Sequence, residues 1–157
     1  MRRSEADEKT GVRDYSVDAH FVDNFKLTLV AGENFQQALG DANRRRVLVN
    51  QRFLERVELR TPHDAIGAGL ILGDSSAATI SGVVQDFLYK PLTYDLEPML
   101  IRYDPSRWQV LNLKIHGADI DGVIAHIESE WKKIDPVHAV SWQFYDTVLE
   151  GVYSTFR

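Results

Sequence analysis

The run "VLNLKIHGADIDGVIAHIESEWKKIDPVHAVSWQFY" changes its hydrophobic period twice. Leu111, Leu113 and Ile115 alternate with Asn112 and Lys114, the two-residue period of a strand. From Asp119 the period lengthens. Ile120, Val123, Ile124, Ile127, Trp131 and Ile134 fall on one stripe, which predicts an amphipathic helix. Asp119 is placed to cap it. Asp121 near its start and Lys132–Lys133 near its end suit the helix dipole. Glu128 and Lys132 form a favourable i,i+4 pair. Val140, Trp142 and Phe144 return to alternation. The whole reads as a β–α–β unit, followed by "DTVLEGVYSTFR" as a further helix.

Upstream the elements are shorter. Residues 1–14 are polar, charged and aperiodic, and read as a disordered tail. Asp18 can cap a short helix whose Phe21, Val22 and Phe25 share a face. Leu27 and Leu29 then alternate with Lys26 and Thr28 as a strand, and Ala31–Gly32 turns the chain. "QQALGDANRR" reads as a loop and "RVLVN" as a strand. Asn50 is placed to cap "QRFLERVEL", with Phe53, Leu54 and Val57 inward. "TPHDAIGAGL" is a Pro/Gly connector, "LIL" a short strand, and "GDSSA" a hairpin turn into the strand "TISGVVQDF". "MLIRY" is a strand ended by Asp104–Pro105.

One stretch does not fit this economy. After Val84, Asp86 interrupts, and Phe87, Leu88, Tyr89, Leu92 and Tyr94 crowd around Lys90–Pro91. That is more apolar surface than an ordinary loop carries. It either folds back on a core or docks against a partner or second lobe.

At 157 residues the chain is long enough to bury roughly 70% of its unfolded surface. With 44% hydrophobic and 26% charged residues it is a globular composition. A net charge of −5 argues against nonspecific nucleic-acid binding. The single basic run, Arg44–Arg45–Arg46, is read as a solvated loop or strand edge, with an anion or lipid-headgroup contact as the alternative. With no cysteine, disulfides and thiol chemistry are excluded. No segment approaches the roughly 20 apolar residues of a membrane helix, and the first 15 residues lack the apolar core of a secretory signal.

Candidate chemistry is sparse. "GDSSA" lacks the G-x-S-x-G spacing of a nucleophile elbow. "GAGLILG" is glycine-rich, but the residues after it have no helical pattern, and no Gly-Lys-Ser/Thr occurs. His20, His63, His116, His126 and His138 show no metal-ligand spacing. Asp86, Asp95 and Glu97 are a conceivable acid–base set; a solvated loop accounts for them more simply. The reading is therefore no catalytic residue, no cofactor and no metal.

Taken in order, "YSVDAHFVDNFKLTLVAGENF", "VLVNQRFLER", "PHDAIGAGL", "ISGVVQDFLYKPLTYDLEPML", "LNLKIHGADIDGVIAHIESEWKKIDP" and "FYDTVLEGVY" resemble the MacB-like periplasmic core domain of FtsX/MacB-type ABC transporter permeases, in the form common in Bacteroidetes. The "GVV-DF" stretch followed by "EPM" carries most of the likeness, which spans about residues 15–157. The resemblance implies an α+β fold with two lobes. Residues 15–105 would be a mixed α/β inserted lobe and 106–146 half of a porter-like βαβ lobe. Residues 147–157 would form a helix leading toward a membrane segment. The family's domain usually begins with another β–α–β half, so the chain is expected to start inside the domain. An exposed strand edge would then invite self-association.

The resemblance also implies a function: an extracytoplasmic, non-enzymatic domain of a permease in the cell inner membrane, facing the periplasm. A separate cytoplasmic ATPase subunit would drive it, with an envelope protein as a further partner and flanking membrane helices outside this chain. Phe87, Leu88, Tyr89, Leu92 and Tyr94 would be the partner or lobe contact. The alternative is a stand-alone envelope domain that binds a ligand or peptide.

Overall fold

The computed structural model describes residues 11–73, 75–87 and 96–144. Two compact units divide the chain, Met1–Val110 and Leu111–Arg157.

The first unit is built on one mixed sheet. Its strands are β1 (Arg13–Val17), β2 (Leu29–Gly32), β3 (Arg46–Asn50), β4 (Gly69–Ile71), β5 (Ala77–Val84) and β6 (Met99–Tyr103). The order is β1-β6-β3-β5-β2, with β4 also paired to β5. β1–β6 and β3–β5 run parallel; β3–β6, β2–β5 and β4–β5 run antiparallel. The long strand β5 thus offers one edge to two short strands in succession: β4 beside Ala77–Thr79, then β2 beside Gly82–Val84.

The central strands read as unbroken apolar runs because both faces of the sheet are covered. On one face Val47, Val49, Ile80, Val83 and Leu100 pack with Phe53 and Leu54 of α2 (Gln51–Arg56) and Ala65 of α3 (Pro62–Ala65). On the other, Leu48, Val84, Met99 and Ile101 pack with Val17, Phe35 and Val22 of α1 (Phe21–Asn24). Alternation inside "VLV" therefore sends neighbours to opposite cores, each side chain contributing about 1.5–3 kcal/mol by burial.

Two glycines permit the β2–β5 approach. Gly32 has φ of +76°, and a Cβ there would run into the Ser81 carbonyl oxygen. A Cβ on its ladder partner Gly82 would come within 2.7 Å of the Glu33 carbonyl oxygen.

Several expectations need correction. Arg13 and Asp14, assigned to the tail, open β1 and pair with Met99 and Leu100. "QALGDANRR" forms two short 3₁₀ turns (Gln37–Arg45) meeting at Gly40, held by buried Asn43, whose amide bridges the Gln36 and Gly40 carbonyls. Helix α1 has no side-chain cap; Asp18 instead accepts the His20 N–H just before it. Val57 ends α2 and is exposed rather than inward.

In the second unit α4 spans Ile120–Ile134, and Asp119 accepts the Gly122 N–H as expected. Val123, Ile124, Ile127 and Trp131 are half-buried along its stripe. The Trp131 indole donates to the His138 carbonyl and the Trp142 indole to Glu128, so the return segment is tied to the helix through its tryptophans. The strands expected at 111–116 and 140–144 do not form. A strand exists only as a ladder, and among the described residues neither segment has a partner strand. Alternation alone cannot supply one. The helix expected at 147–157 lies outside the described residues.

Candidate contact surface

Phe87 follows directly from the end of β5. There Gln85 N–H closes the ladder on the Thr28 carbonyl at 2.8 Å. Asp86 turns toward α2: its Oδ1 accepts the Arg52 N–H at 3.1 Å, and its own N–H donates to Gln51 Oε1. This lets Phe87 fold back on the core, edge-on to Phe21 with ring centroids 6.4 Å apart, while Phe21 meets Phe25 at 4.8 Å. Phe87 therefore takes the first of its two alternatives and is half-buried against the cluster around Leu48 and Met99. Leu88, Tyr89, Leu92 and Tyr94 lie outside the described residues, as does Asp95.

The chain returns at Leu96, and its next residues are fixed to the same end of α2. Asn50 is 2% exposed and makes three hydrogen bonds there. Its Oδ1 accepts from Phe53 N (3.0 Å), the expected cap, and from Met99 N (2.8 Å); its Nδ2 donates to the Glu97 carbonyl (3.0 Å). Glu97 is also gripped by Arg13, with Nε to Oε2 at 2.6 Å and Nη2 to Oε1 at 3.1 Å. Asp86 and Glu97 thus hold structural contacts, Asp86 to the start of α2 and Glu97 to Arg13. The second and third bonds of Asn50 have no sequence signal, since they join residues nearly fifty positions apart.

A second feature lies at the opposite end of the strands. A groove of about 940 Å³ is lined by β4, the start of β5, Arg44–Arg45 and the Arg102–Asp104 end of β6. Arg44 reaches Asp41 (3.0 Å) and Asp104 (2.8 Å), and hydrogen bonding to Asp41 raises its already high pKa. Burial pushes the Asp104 carboxyl up. Hydrogen bonds from the Ser106 hydroxyl and N–H, with the charges of Arg44 and Arg102, outweigh it and hold Asp104 below its ordinary value. Arg102 and Arg107 share Asp14 at 3.4 and 2.9 Å. The basic run is thus mostly engaged in ion pairs at a strand edge.

The glycine-rich connector forms turns and β4 rather than a phosphate loop opening a helix. Among the described residues no group of three or more His, Asp or Glu is placed to hold a metal ion, and no helix is long and apolar enough to cross a membrane.

No family model matches the chain, and no curated protein matches it in sequence. Among solved structures, the periplasmic region of MacB from Actinobacillus actinomycetemcomitans superposes with a TM-score of 0.63 at 13% identity. It covers 89% of this chain. The chain has the fold of the MacB periplasmic region. It spans 64% of that MacB structure, a little under two thirds. The α+β architecture expected from the sequence agrees with the mixed sheet and helices of that fold. A domain provisionally assigned to a permease protein from Porphyromonas gingivalis aligns at a TM-score of 0.47 and 14% identity, over 83% of this chain and 68% of that one. That second likeness is too loose to carry an argument.

Proposed function

We propose that the chain is the extracytoplasmic domain of an ABC transporter permease, held at the inner membrane and facing the periplasm. The observation that carries this reading is the MacB-like fold over 89% of the chain. In this role the chain performs no chemistry. It moves as a relay between ATP hydrolysis by a separate cytoplasmic subunit and an event outside the membrane, export or a conformational change in an envelope partner. Residues 15–105 would act as the inserted lobe and 106–146 as half of a porter-like lobe.

Leu88, Tyr89, Leu92 and Tyr94 are proposed as the contact through which movement is passed on, with Phe87 anchoring the stretch to the core beside Phe21. The attachment of Asp86 and Glu97 to the start of α2 supports this, because a contact that transmits force needs fixed ends. The test is made in the intact protein. Tyr89→Ser should impair transport more than ATP hydrolysis, whereas Phe87→Leu, which loses the ring edge against Phe21, should lower the stability of the domain. Equal loss of both activities in a folded Tyr89→Ser protein would contradict the relay role. A complete reading frame with no apolar run of about 20 residues on either side of this domain would favour the stand-alone binding domain instead.

A further inference from the structure

The groove at the start of β5 brings backbone and charge to one place. Leu72 N–H donates to the Ser76 carbonyl and Ile80 N–H to the Ala68 carbonyl, both at 2.9 Å. In an antiparallel ladder hydrogen-bonded pairs alternate, so Leu70 and Ala78 form the bonded pair between them. Ala77 and Thr79 therefore turn their N–H and C=O groups the other way, toward β3. That strand begins at Arg46, opposite Thr79. Thr79 thus enters a ladder, whereas Ala77 stands ahead of it and faces the space in front of β3. Arg44 and Arg45 occupy the border of that space, because they lead directly into β3. The Arg102–Asp104 end of β6 lines its far side.

The charges there do not cancel. Three lining residues are arginines and one is an acid, in a chain of net charge −5. Arg44 is balanced by Asp41 and Asp104, and Arg102 shares Asp14 with Arg107. Arg45 is exposed and has no ion-pair partner among the described residues. The remaining lining is largely apolar. Ile71 is 77% exposed, unusual for isoleucine in a strand, and as the ladder partner of Ala77 it shares that residue's face. A volume of about 940 Å³ falls within the usual size of a small-molecule site, which is mostly apolar with a few polar groups.

We propose that this groove binds a small dissolved amphipathic anion, one carboxylate or phosphate group on an apolar body. The Arg45 guanidinium and the Ala77 N–H hold the anionic group, and the side chains of Ile71 and Ala77 cover the body. One surplus cation suits a single anionic group. A membrane surface is instead held by clusters of several Lys and Arg. The groove is open, so the complex is weak and reversible. The inference goes beyond the permease reading and does not depend on it.

The test uses the full 157-residue chain, labelled with ¹⁵N, and three probes: octanoate, acetate and octylammonium. Octanoate should shift the Arg45, Ile71 and Ala77 amides saturably. It should bind at least about 10-fold more tightly than acetate, the gain expected from burying as few as two methylenes. Octylammonium, with the same body and the opposite charge, should leave these amides in place. Arg45→Gln should weaken octanoate binding about 10-fold, the scale of a lost hydrogen bond to a charged group, and added salt should weaken it in the parent. Ile71→Ser should remove the advantage of octanoate over acetate. Both positions are exposed, so the variants should keep the parent spectrum elsewhere. No saturable shift at Ala77, equal binding of octanoate and octylammonium, or an Arg45→Gln protein that binds octanoate like the parent would overturn the proposal. A response to phosphatidylglycerol vesicles without one to octanoate would also overturn it, in favour of a lipid surface.

Discussion

Asn50 ends β3, caps α2 and receives the chain where β6 begins, all with one amide. The cap was legible, since an Asn before an amphipathic segment is an N-cap signal. Truncation to alanine leaves two backbone N–H groups and one carbonyl without this partner in a buried site. The expected cost is at least about 3 kcal/mol, since each of the three groups left without a partner costs roughly 1–3, read as a lower urea midpoint with unchanged slope. Asn50→Asp keeps both accepted bonds but cannot donate to the Glu97 carbonyl, so it should lose less than alanine at neutral pH. An alanine variant as stable as the parent would remove Asn50 from this role. Asp104 supports a pH prediction. Its folded pKa lies below the unfolded value, so its contribution is present above the unfolded value near 4 and is lost as pH falls through the folded one. At pH 7 Asp104→Asn should lower the melting temperature by about 2–4 °C, for a loss of roughly 1 kcal/mol. The gap between the two proteins should narrow as pH falls below 4. A gap constant from pH 7 to 3 would rule out the carboxylate as its source.

At the scale of elements, the segments legible in the sequence were those whose periodicity reports burial on the spot. "RVLVN", "MLIRY" and the helix from Ile120 have apolar positions that find cores or a half-covered face near their expected bounds. Elements that depend on a remote partner were misread. Arg13–Asp14 is a strand only because β6 lies beside it. The alternating stretch at 111–116 is not a strand, because no partner lies beside it among the described residues. The β2–β5 pair depends on something the pattern hides, the absence of side chains at Gly32 and Gly82. Gly82→Ala would press a methyl group against Leu29, Leu48 and the Glu33 carbonyl, with the backbone atom unable to yield. It should cost about 1–3 kcal/mol, the usual range for overpacking, and weaken amide protection in β2 before β3. Unchanged stability would mean that β2 can withdraw from β5 without loss.

For the whole molecule, the difference between the two units is one of burial. In Met1–Val110 the central strands carry residues with essentially no exposure on both faces, among them Val47, Leu48, Ile80, Val83 and Ile101. In the described part of Leu111–Arg157 no residue is buried, and Leu111, Leu113, Ile134 and Val137 are each more than half exposed. Opening free energies track buried contacts and shielded hydrogen bonds. Amide exchange of the full chain should therefore be slowest in β3, β5 and β6, intermediate in α4, and fast at 111–116. If the permease reading is right, the amides of 111–116 should gain protection in the intact protein, where further strands can complete a ladder beside them, while β3 stays as it is. Fast exchange at 111–116 in the isolated chain and the intact protein alike would argue that this segment is a linker, and that the alternation of Leu111, Leu113 and Ile115 serves another contact.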